Sequence, residues 1–168
     1  MLIFAYGSNM CRPRMRERVP SAELVDIGAV AGFDLRFHKR SVDGSGKADA
    51  FATGDRQHVV WGVTWRIDPV HKPILDDCES LGIGYDCEMV TVHTQSQGSL
   101  PALAYLARAE VLDPTLRPYH WYKQFVVSGA TQHALPDDYV ASLQTVMSID
   151  DPEPERHQQH VRLLCDLR

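Results

Sequence analysis

The chain of 168 residues carries 17 Lys and Arg against 22 Asp and Glu, a formal net charge of −5, and 44% hydrophobic residues. These values are typical of an ordinary globular domain, and the acidic balance does not favour bulk attraction to nucleic acid or to an anionic membrane. No stretch approaches the ~20 apolar residues of a membrane span. We therefore expect one domain over residues 1–168 that acts on neither nucleic acid nor membrane.

A short apolar run at the N-terminus, residues 1–5, predicts a buried strand. The run breaks at Tyr6-Gly7-Ser8-Asn9, where glycine frees the backbone and Ser and Asn are typical of turns and helix N-caps. A helix or irregular arm is expected over residues 9–19. A strand that ends in a glycine-containing turn at a helix start leaves backbone N–H groups unpaired, and such groups favour a carboxylate, a phosphate or an oxyanion.

The next segments predict strands separated by a loop. Residues 22–37 alternate loosely and indicate one or two strands, whereas Gly, Ser and Asp dominate residues 41–50, which we expect to form a loop. Residues 50–53 and 59–67 also predict strands, the second rich in β-branched and aromatic residues.

A short helix is expected at about residues 72–80, since Pro73 is tolerated only near a helix start. Gly82 or Gly84 is expected to end this helix. Alternating patterns over residues 85–93 and 100–106 then predict two more strands.

The last third of the chain predicts helices at about residues 118–128 and 136–147. The acidic stretch 148–156 is expected to be a linker or exposed turn, and residues 157–167 are expected to form a strand or a helix. We therefore treat the chain as a single domain in which residues 148–168 form an exposed linker and a C-terminal segment.

The histidines and cysteines predict neither a metal site nor a disulfide. The sequence contains no H-E-x-x-H motif, no paired cysteine spacing and no phosphate-binding glycine motif, so we expect no metal and no cofactor. The N-terminus lacks the pattern of a secretory signal, which predicts free thiols and a cytoplasmic location.

Ser8 lies in a strand-to-helix turn, as the serine of a nucleophile elbow does. The elbow pattern is G-x-S-x-G, and both glycine positions differ in Tyr6-Gly7-Ser8-Asn9-Met10. A hydrogen-bonding loop residue is therefore favoured over a serine nucleophile.

Charged residues cluster at two places. The first cluster predicts a solvated, locally paired helix face, or alternatively a basic rim that attracts an acidic small molecule; its arginines are Arg12, Arg14, Arg16 and Arg18. The second is the carboxylate group Asp76, Asp77 and Glu79 on the short helix. Acidic residues on short helices are usually exposed, but a carboxylate that faces apolar walls has a raised pKa and can take and return a proton.

Four segments, in this order from about residue 3 to about residue 145, resemble the γ-glutamylcyclotransferase family: FAYGSNM, VVWGVTWRI, LDDCESLGIGYDCEMVTV and YKQFVVSGATQHALPDDYVASL. The form YGSN, rather than YGSL, resembles the branch that acts on γ-glutamyl amino acids and not the glutathione-specific branch. The resemblance implies an α+β fold, with a mixed, largely antiparallel β-barrel-like sheet and helices around it.

The resemblance also implies a site. Tyr6, Gly7, Ser8 and Asn9 match the loop that lines the substrate cavity. Glu79 matches the acid/base carboxylate, and Tyr85 and Tyr122 match aromatic positions near the pocket. Ser80 stands where a glycine is frequent.

The implied reaction is intramolecular aminolysis, in which the α-amine of a γ-glutamyl substrate attacks its own γ-carbonyl and 5-oxoproline forms. Because the nucleophile is part of the substrate, the reaction needs no serine, cysteine or metal, and one carboxylate can move the protons. Two alternatives remain open: a non-catalytic module that binds a small acidic metabolite, and a cyclotransferase for another γ-glutamyl conjugate. The expected partner is a small molecule, and the sequence predicts no oligomeric state.

Overall fold

A computed structural model describes residues 1–94 and 96–165, and this part of the chain contains seven strands and five α-helices. The strands are β1 (Leu2–Ala5), β2 (Glu23–Ala31), β3 (Phe33–Arg40), β4 (Gly46–Ala52), β5 (Val59–Arg66), β6 (Tyr85–Thr94) and β7 (Gly98–Ala107). The helices are α1 (Arg12–Arg18), α2 (Lys72–Glu79), α3 (His120–Gln132), α4 (Asp137–Thr145) and α5 (Pro154–Cys165). None of these helices is long and apolar enough to cross a membrane.

Five strands close into a barrel in the order β1, β5, β2, β6 and β7, and β3 pairs with β4 in a separate hairpin. The neighbours within this order pair in antiparallel fashion, while β7 closes the barrel beside β1 in parallel, with Ile3 opposite Leu103. The predicted fold class, an α+β protein with a mixed, largely antiparallel barrel, is confirmed.

The two strands predicted from the N-terminal and central apolar runs pair with each other inside this barrel. Ile3 lies opposite Trp65 and Ala5 lies opposite Val63, and all four side chains are buried. Full burial of a large apolar side chain contributes about 1.5–3 kcal/mol. This pairing fixes the point at which β1 ends, and therefore the position of the residues that follow it.

The prediction of a loop over residues 41–50 is wrong for its second half. Residues 46–50 belong to strand β4, and the turn occupies 41–45. Gly46 approaches β3 so closely that a Cβ there would lie 2.2 Å from the carbonyl oxygen of Phe37. A glycine that was interpreted as a loop former is thus required by strand packing, and it brings Lys47 and Ala48 next to the barrel.

The helix predicted at about residues 72–80 is confirmed as α2, but a different residue ends it. Its last residue is Glu79, because Ser80 takes the left-handed conformation with φ 53° and ψ 54°. Neither Gly82 nor Gly84 ends the helix, which corrects that prediction. Glycine adopts this conformation without steric cost. A glycine would therefore suit the position that Ser80 occupies in this chain.

The C-terminal segment forms a helix as far as residue 165, and residues 166 and 167 of the predicted segment lie outside the described part. The His160 ring stacks on Trp121 of α3 with centroids 3.8 Å apart. The linker before α5 is held by Asp151, whose carboxylate accepts hydrogen bonds from Trp121 Nε1 and Arg156 Nε, both at 2.7 Å.

Candidate active site

Residues 6–9 leave the end of β1 as a short turn. Ser8–Met10 form one turn of 3-10 helix, and the Met10 N–H donates to the Gly7 carbonyl at 3.0 Å. The N–H groups of Gly7, Ser8 and Asn9 make no hydrogen bond to any residue that the structure describes. The loop therefore presents three backbone donors, as the sequence predicts for a strand that ends at such a turn.

Helix α3 supports this loop from behind. Gly129 lies so close to it that a Cβ there would be 2.5 Å from the Cys11 nitrogen. His133 contacts the Met10 carbonyl through Nε2 at 3.1 Å. Burial lowers the pKa of His133, so the ring is neutral at neutral pH and donates to that carbonyl.

A cavity of about 40 Å³ lies between the loop, β4 and the end of α2. The predicted site residues all line it, although they come from four separate parts of the chain: Tyr6, Gly7, Ser8, Asn9, Glu79, Tyr85 and Tyr122. Tyr105, which the sequence analysis did not single out, lines it as well. We refer to this space as the inner cavity.

Glu79 is held at the cavity wall by two polar side chains. Its Oε1 accepts hydrogen bonds from Asn9 Nδ2 at 2.9 Å and from Arg18 Nη1 at 2.8 Å. The same Arg18 nitrogen donates to Asn9 Oδ1 at 3.0 Å, which closes a triangle of three side chains. The Glu79 side chain is 15% exposed, and its Oε2 meets no donor among the described residues.

This triangle differs from two expectations. The residue pattern allowed either an exposed carboxylate or one that faces apolar walls, whereas Glu79 is largely buried and ion-paired with Arg18. Asn9 is a typical N-cap residue, but the N-cap of α1 is Cys11, and the Asn9 side chain reaches across to α2. Asn9 also accepts a hydrogen bond from Trp65 Nε1 on its backbone oxygen at 3.0 Å, so the barrel fixes its position.

A second set of contacts fixes the helix that carries Glu79. The Tyr105 hydroxyl donates to Asp76 Oδ1 at 2.7 Å, and Lys72 forms an ion pair with the same oxygen. The Tyr6 hydroxyl donates to the Tyr105 carbonyl. Asp76 therefore anchors α2 to β7, and the Tyr6 hydroxyl is satisfied by the main chain while its ring lines the cavity.

Tyr85 and Tyr122 meet at one residue of β4. The Tyr85 hydroxyl donates to the Ala48 carbonyl at 2.7 Å, and the Ala48 N–H donates to the Tyr122 hydroxyl at 3.1 Å. Burial raises the pKa of both phenols, which keeps them protonated at neutral pH. A Cβ on Gly7 would lie 3.0 Å from the Ala48 Cβ and 3.4 Å from the Tyr122 hydroxyl, so the loop is packed against these residues.

Comparison with known proteins agrees with this architecture. The model of the AIG2-like family matches residues 59–143. Human γ-glutamylcyclotransferase is 31% identical over 152 residues, which cover 86% of this chain and 78% of the human protein. The chain belongs to the γ-glutamylcyclotransferase family. The family predicted from the four sequence segments is thereby confirmed.

Solved structures show the same relationship. A γ-glutamyl cyclotransferase superposes with a TM-score of 0.82 and 27% identity, covering 91% of each chain. An uncharacterized human protein superposes with a TM-score of 0.80 and 29% identity, covering 89% of each chain.

In this family member, Ser8 contacts no general base among the residues that the structure describes. Its Oγ accepts a hydrogen bond from Arg14 Nε at 3.1 Å. A guanidinium does not accept a proton, so this contact cannot activate the hydroxyl. The geometry favours the hydrogen-bonding role that the sequence predicts for Ser8.

Two arginines of the predicted solvated face have a different environment. Arg14 is buried and contacts Ser8, and Arg18 pairs with Glu79. The solvated-face alternative is wrong for this pair, since both side chains line cavity walls, and the alternative of a basic rim stays open. Their spacing of four residues places them on one side of a helix, and that signal was present in the sequence.

Proposed function

We propose that this chain is a γ-glutamylcyclotransferase that converts a γ-glutamyl amino acid or amine into 5-oxoproline and a free amine, with Glu79 as the proton carrier. The observation that carries the proposal is the position of Glu79, which is fixed by Asn9 and Arg18 at the same cavity as residues 7–9, whose N–H groups meet no acceptor among the described residues. Membership of the family supports the class of reaction.

The reaction removes two protons from the attacking nitrogen and adds two protons to the leaving nitrogen. The substrate's α-ammonium loses one proton before it attacks the γ-carbonyl and a second when the lactam nitrogen is formed. The C–N bond to the leaving group then breaks, and the leaving nitrogen gains two protons as it becomes an ammonium. We assign Glu79 Oε2 as the atom that accepts and returns these protons. This oxygen meets no hydrogen-bond donor among the described residues.

Negative charge develops on the γ-carbonyl oxygen during the attack. The N–H groups of Gly7, Ser8 and Asn9 can stabilise that oxygen, bind the substrate's α-carboxylate, or serve both purposes. Loss of one donor to a developing oxyanion typically costs about 3 kcal/mol. A site that holds the substrate bent supplies proximity between the amine and the carbonyl.

Asn9 and Arg18 act on Glu79 rather than on the substrate in this proposal. Both contact Oε1, so they fix the rotamer of the carboxylate and leave Oε2 for the reaction. A reacting group held in one orientation loses less entropy in the transition state.

The test is release of 5-oxoproline from γ-glutamyl amino acids, γ-glutamyl amines and glutathione, measured on the purified chain. We expect release from γ-glutamyl amino acids, and release from glutathione would show that the assigned branch is wrong. Binding of these compounds without any release would instead favour the non-catalytic module. Release from a different γ-glutamyl conjugate alone would favour the other enzymatic alternative.

A further inference from the structure

Cys78 is the next-to-last residue of α2 and lines a second cavity, of about 230 Å³. We call this cavity the outer pocket. It adjoins the inner cavity, with which it shares four wall residues: Ser8, Glu79, Tyr85 and Tyr122. A group attached to the Cys78 sulfur would therefore lie beside Glu79, although no step of the proposed reaction uses the thiol.

Cys78 is the most accessible of the three cysteines whose side chains the structure describes. It is exposed, whereas Cys11 is buried and Cys87 is half-buried. Burial raises the pKa of both Cys11 and Cys87, which lowers their fraction of thiolate at neutral pH. Because the thiolate is the nucleophile in thiol chemistry, we expect Cys78 to react first.

Lys39 is a buried cation on the wall of the same pocket. The residue is 7% exposed, and its Nζ lies 4.7 Å from the centre of the Tyr85 ring. Its ammonium forms no hydrogen bond or ion pair with any residue in the described ranges. Gly84 makes room for it, since a Cβ at that position would lie 2.8 Å from Lys39 Nζ. A buried charge without a partner costs free energy, so Lys39 favours an anion in the outer pocket.

Arg14 adds a second buried positive charge to this wall. It is also 7% exposed, and its Nε donates to Ser8 Oγ. Its two terminal nitrogens meet no acceptor among the described residues. Burial lowers the pKa of Arg14 to about 10, so the group remains charged at neutral pH.

The other two cations of the outer pocket are neutralised within the protein. Arg18 pairs with Glu79 at 2.8 Å, and Lys47 pairs with Asp43 at 2.6 Å. The wall therefore carries two positive charges in excess, and an exposed thiol lies on the same wall. A disulfide that carries carboxylates would meet both features at once, whereas an uncharged disulfide would meet only the thiol.

We propose that Cys78 is a modification site, at which a small anionic disulfide forms a mixed disulfide that occupies the outer pocket and stops the enzyme. The Cys78 thiolate attacks one sulfur of the reagent and forms a new S–S bond, while the original S–S bond breaks and the second half leaves as a thiolate. The exchange needs no further oxidant, and an added thiol reverses it. The carboxylate of the retained half binds at Lys39 and Arg14. The loss of activity rests on the proposed function, whereas the exchange itself does not.

The first test measures the rate at which the protein reacts with dithiobis(nitrobenzoate), which carries two carboxylates, and with dithiodipyridine, which is uncharged. The absorbance of the released product follows each reaction, and the ratio of the two rates is compared with the same ratio for free mercaptoethanol. We expect the protein to favour the anionic reagent by about tenfold or more relative to the free thiol, the effect typical of a hydrogen bond to a charged group. Equal ratios for the protein and the free thiol would overturn the inference.

Two pairs of variants assign this preference to residues. Cys78→Ser should abolish the fast reaction and its adduct in mass spectrometry, while Cys87→Ser should retain both. Lys39→Gln should lower the preference for the anionic reagent by about tenfold. Arg40→Gln is its matched control and should leave the preference unchanged, because it removes the same charge from a neighbouring side chain that is 57% exposed and pairs with Asp113. A fast reaction that survives in Cys78→Ser, or equal effects of the two charge variants, would overturn the inference.

Release of 5-oxoproline measures the effect of the adduct on the site. Wild type treated with dithiobis(nitrobenzoate) should lose activity in step with the adduct and regain it with dithiothreitol, whereas treated Cys78→Ser should keep the activity that it has before treatment. Full activity of wild type that carries the Cys78 adduct would overturn the inference and leave the proposed function intact. Absence of release from untreated wild type would instead contradict the proposed function, and the rates and the adduct mass would still decide whether Cys78 is the modification site.

Discussion

Asn9 and Glu79 lie 70 positions apart in the chain and are joined by a hydrogen bond of 2.9 Å between Asn9 Nδ2 and Glu79 Oε1. This bond connects the loop that follows β1 with the last residue of α2. A leucine, as in the YGSL form, could not make it. The asparagine of YGSN therefore has a structural role, which is to orient the carboxylate at the cavity wall.

Asn9→Ala should lower kcat by about 10- to 100-fold, equivalent to about 1.4–2.8 kcal/mol, with a smaller change in KM. The reason is that Glu79 would lose one of the two contacts that fix its orientation. Steady-state kinetics on a γ-glutamyl amino acid separates the two parameters. An increase in KM with kcat unchanged would show that Asn9 binds substrate and does not position Glu79.

Gly7→Val should lose activity by at least about 100-fold, equivalent to about 2.7 kcal/mol. The added side chain would collide with Ala48, because even a Cβ on Gly7 would lie 3.0 Å from the Ala48 Cβ. Gly7→Ala should have an intermediate effect, and Ala48→Gly should restore part of the activity of that variant by removing the opposing methyl group. A folded Gly7→Val protein with unchanged substrate affinity would count against the role of the loop.

Ser80→Gly should raise the free energy of unfolding by about 1 kcal/mol. Ser80 has a left-handed φ of 53°, which costs a residue with a Cβ about 1–2 kcal/mol, partly offset by the greater backbone entropy of glycine in the unfolded chain. Chemical denaturation measures the change. Ser80→Ala, which keeps the Cβ, is the control and should give no gain; an equal gain in both variants would contradict the argument.

His160 should make the protein less stable as the pH falls from about 6.5 to about 4. Burial, followed by the nearby Arg14 charge, lowers the pKa of His160 from 6.5 to about 4. In this range the unfolded chain binds the proton and the folded chain does not, so stability present above pH 6.5 is lost on acidification. His160→Phe, which can keep the stacking on Trp121, should reduce this loss in thermal unfolding measured at pH 7 and pH 4.5. An identical pH dependence in both proteins would show that His160 is not responsible.

The strands of the barrel were predictable because they carry strong local signals, whereas the barrel itself was implied by the resemblance. The apolar run of residues 1–5 and the β-branched and aromatic residues of 59–67 became β1 and β5. The start of β4 was missed because Gly46 and its polar neighbours resemble a turn in composition, while the close approach to β3 that requires the glycine depends on tertiary packing.

The sequence predicted which residues come together at the candidate site, but not the contacts between them. Seven residues were assigned from the resemblance, and all of them line the inner cavity. Arg18 contacts Glu79, which lies 61 positions away in the chain. Tyr105 contacts Asp76, which lies 29 positions away. Such contacts arise when the barrel closes and brings α1, α2 and β7 together, and no local pattern in the sequence encodes that geometry.

The central claim is that Glu79 carries the proton, and 5-oxoproline release by Glu79→Gln tests it most directly. The substitution keeps the shape of the side chain and removes its basicity, and Asp77→Asn, an equivalent change at an exposed residue of the same helix, is the control. We expect Glu79→Gln to fold, to bind substrate and to release no measurable 5-oxoproline, while Asp77→Asn retains full activity. Substantial release by a folded Glu79→Gln protein would remove Glu79 from the mechanism.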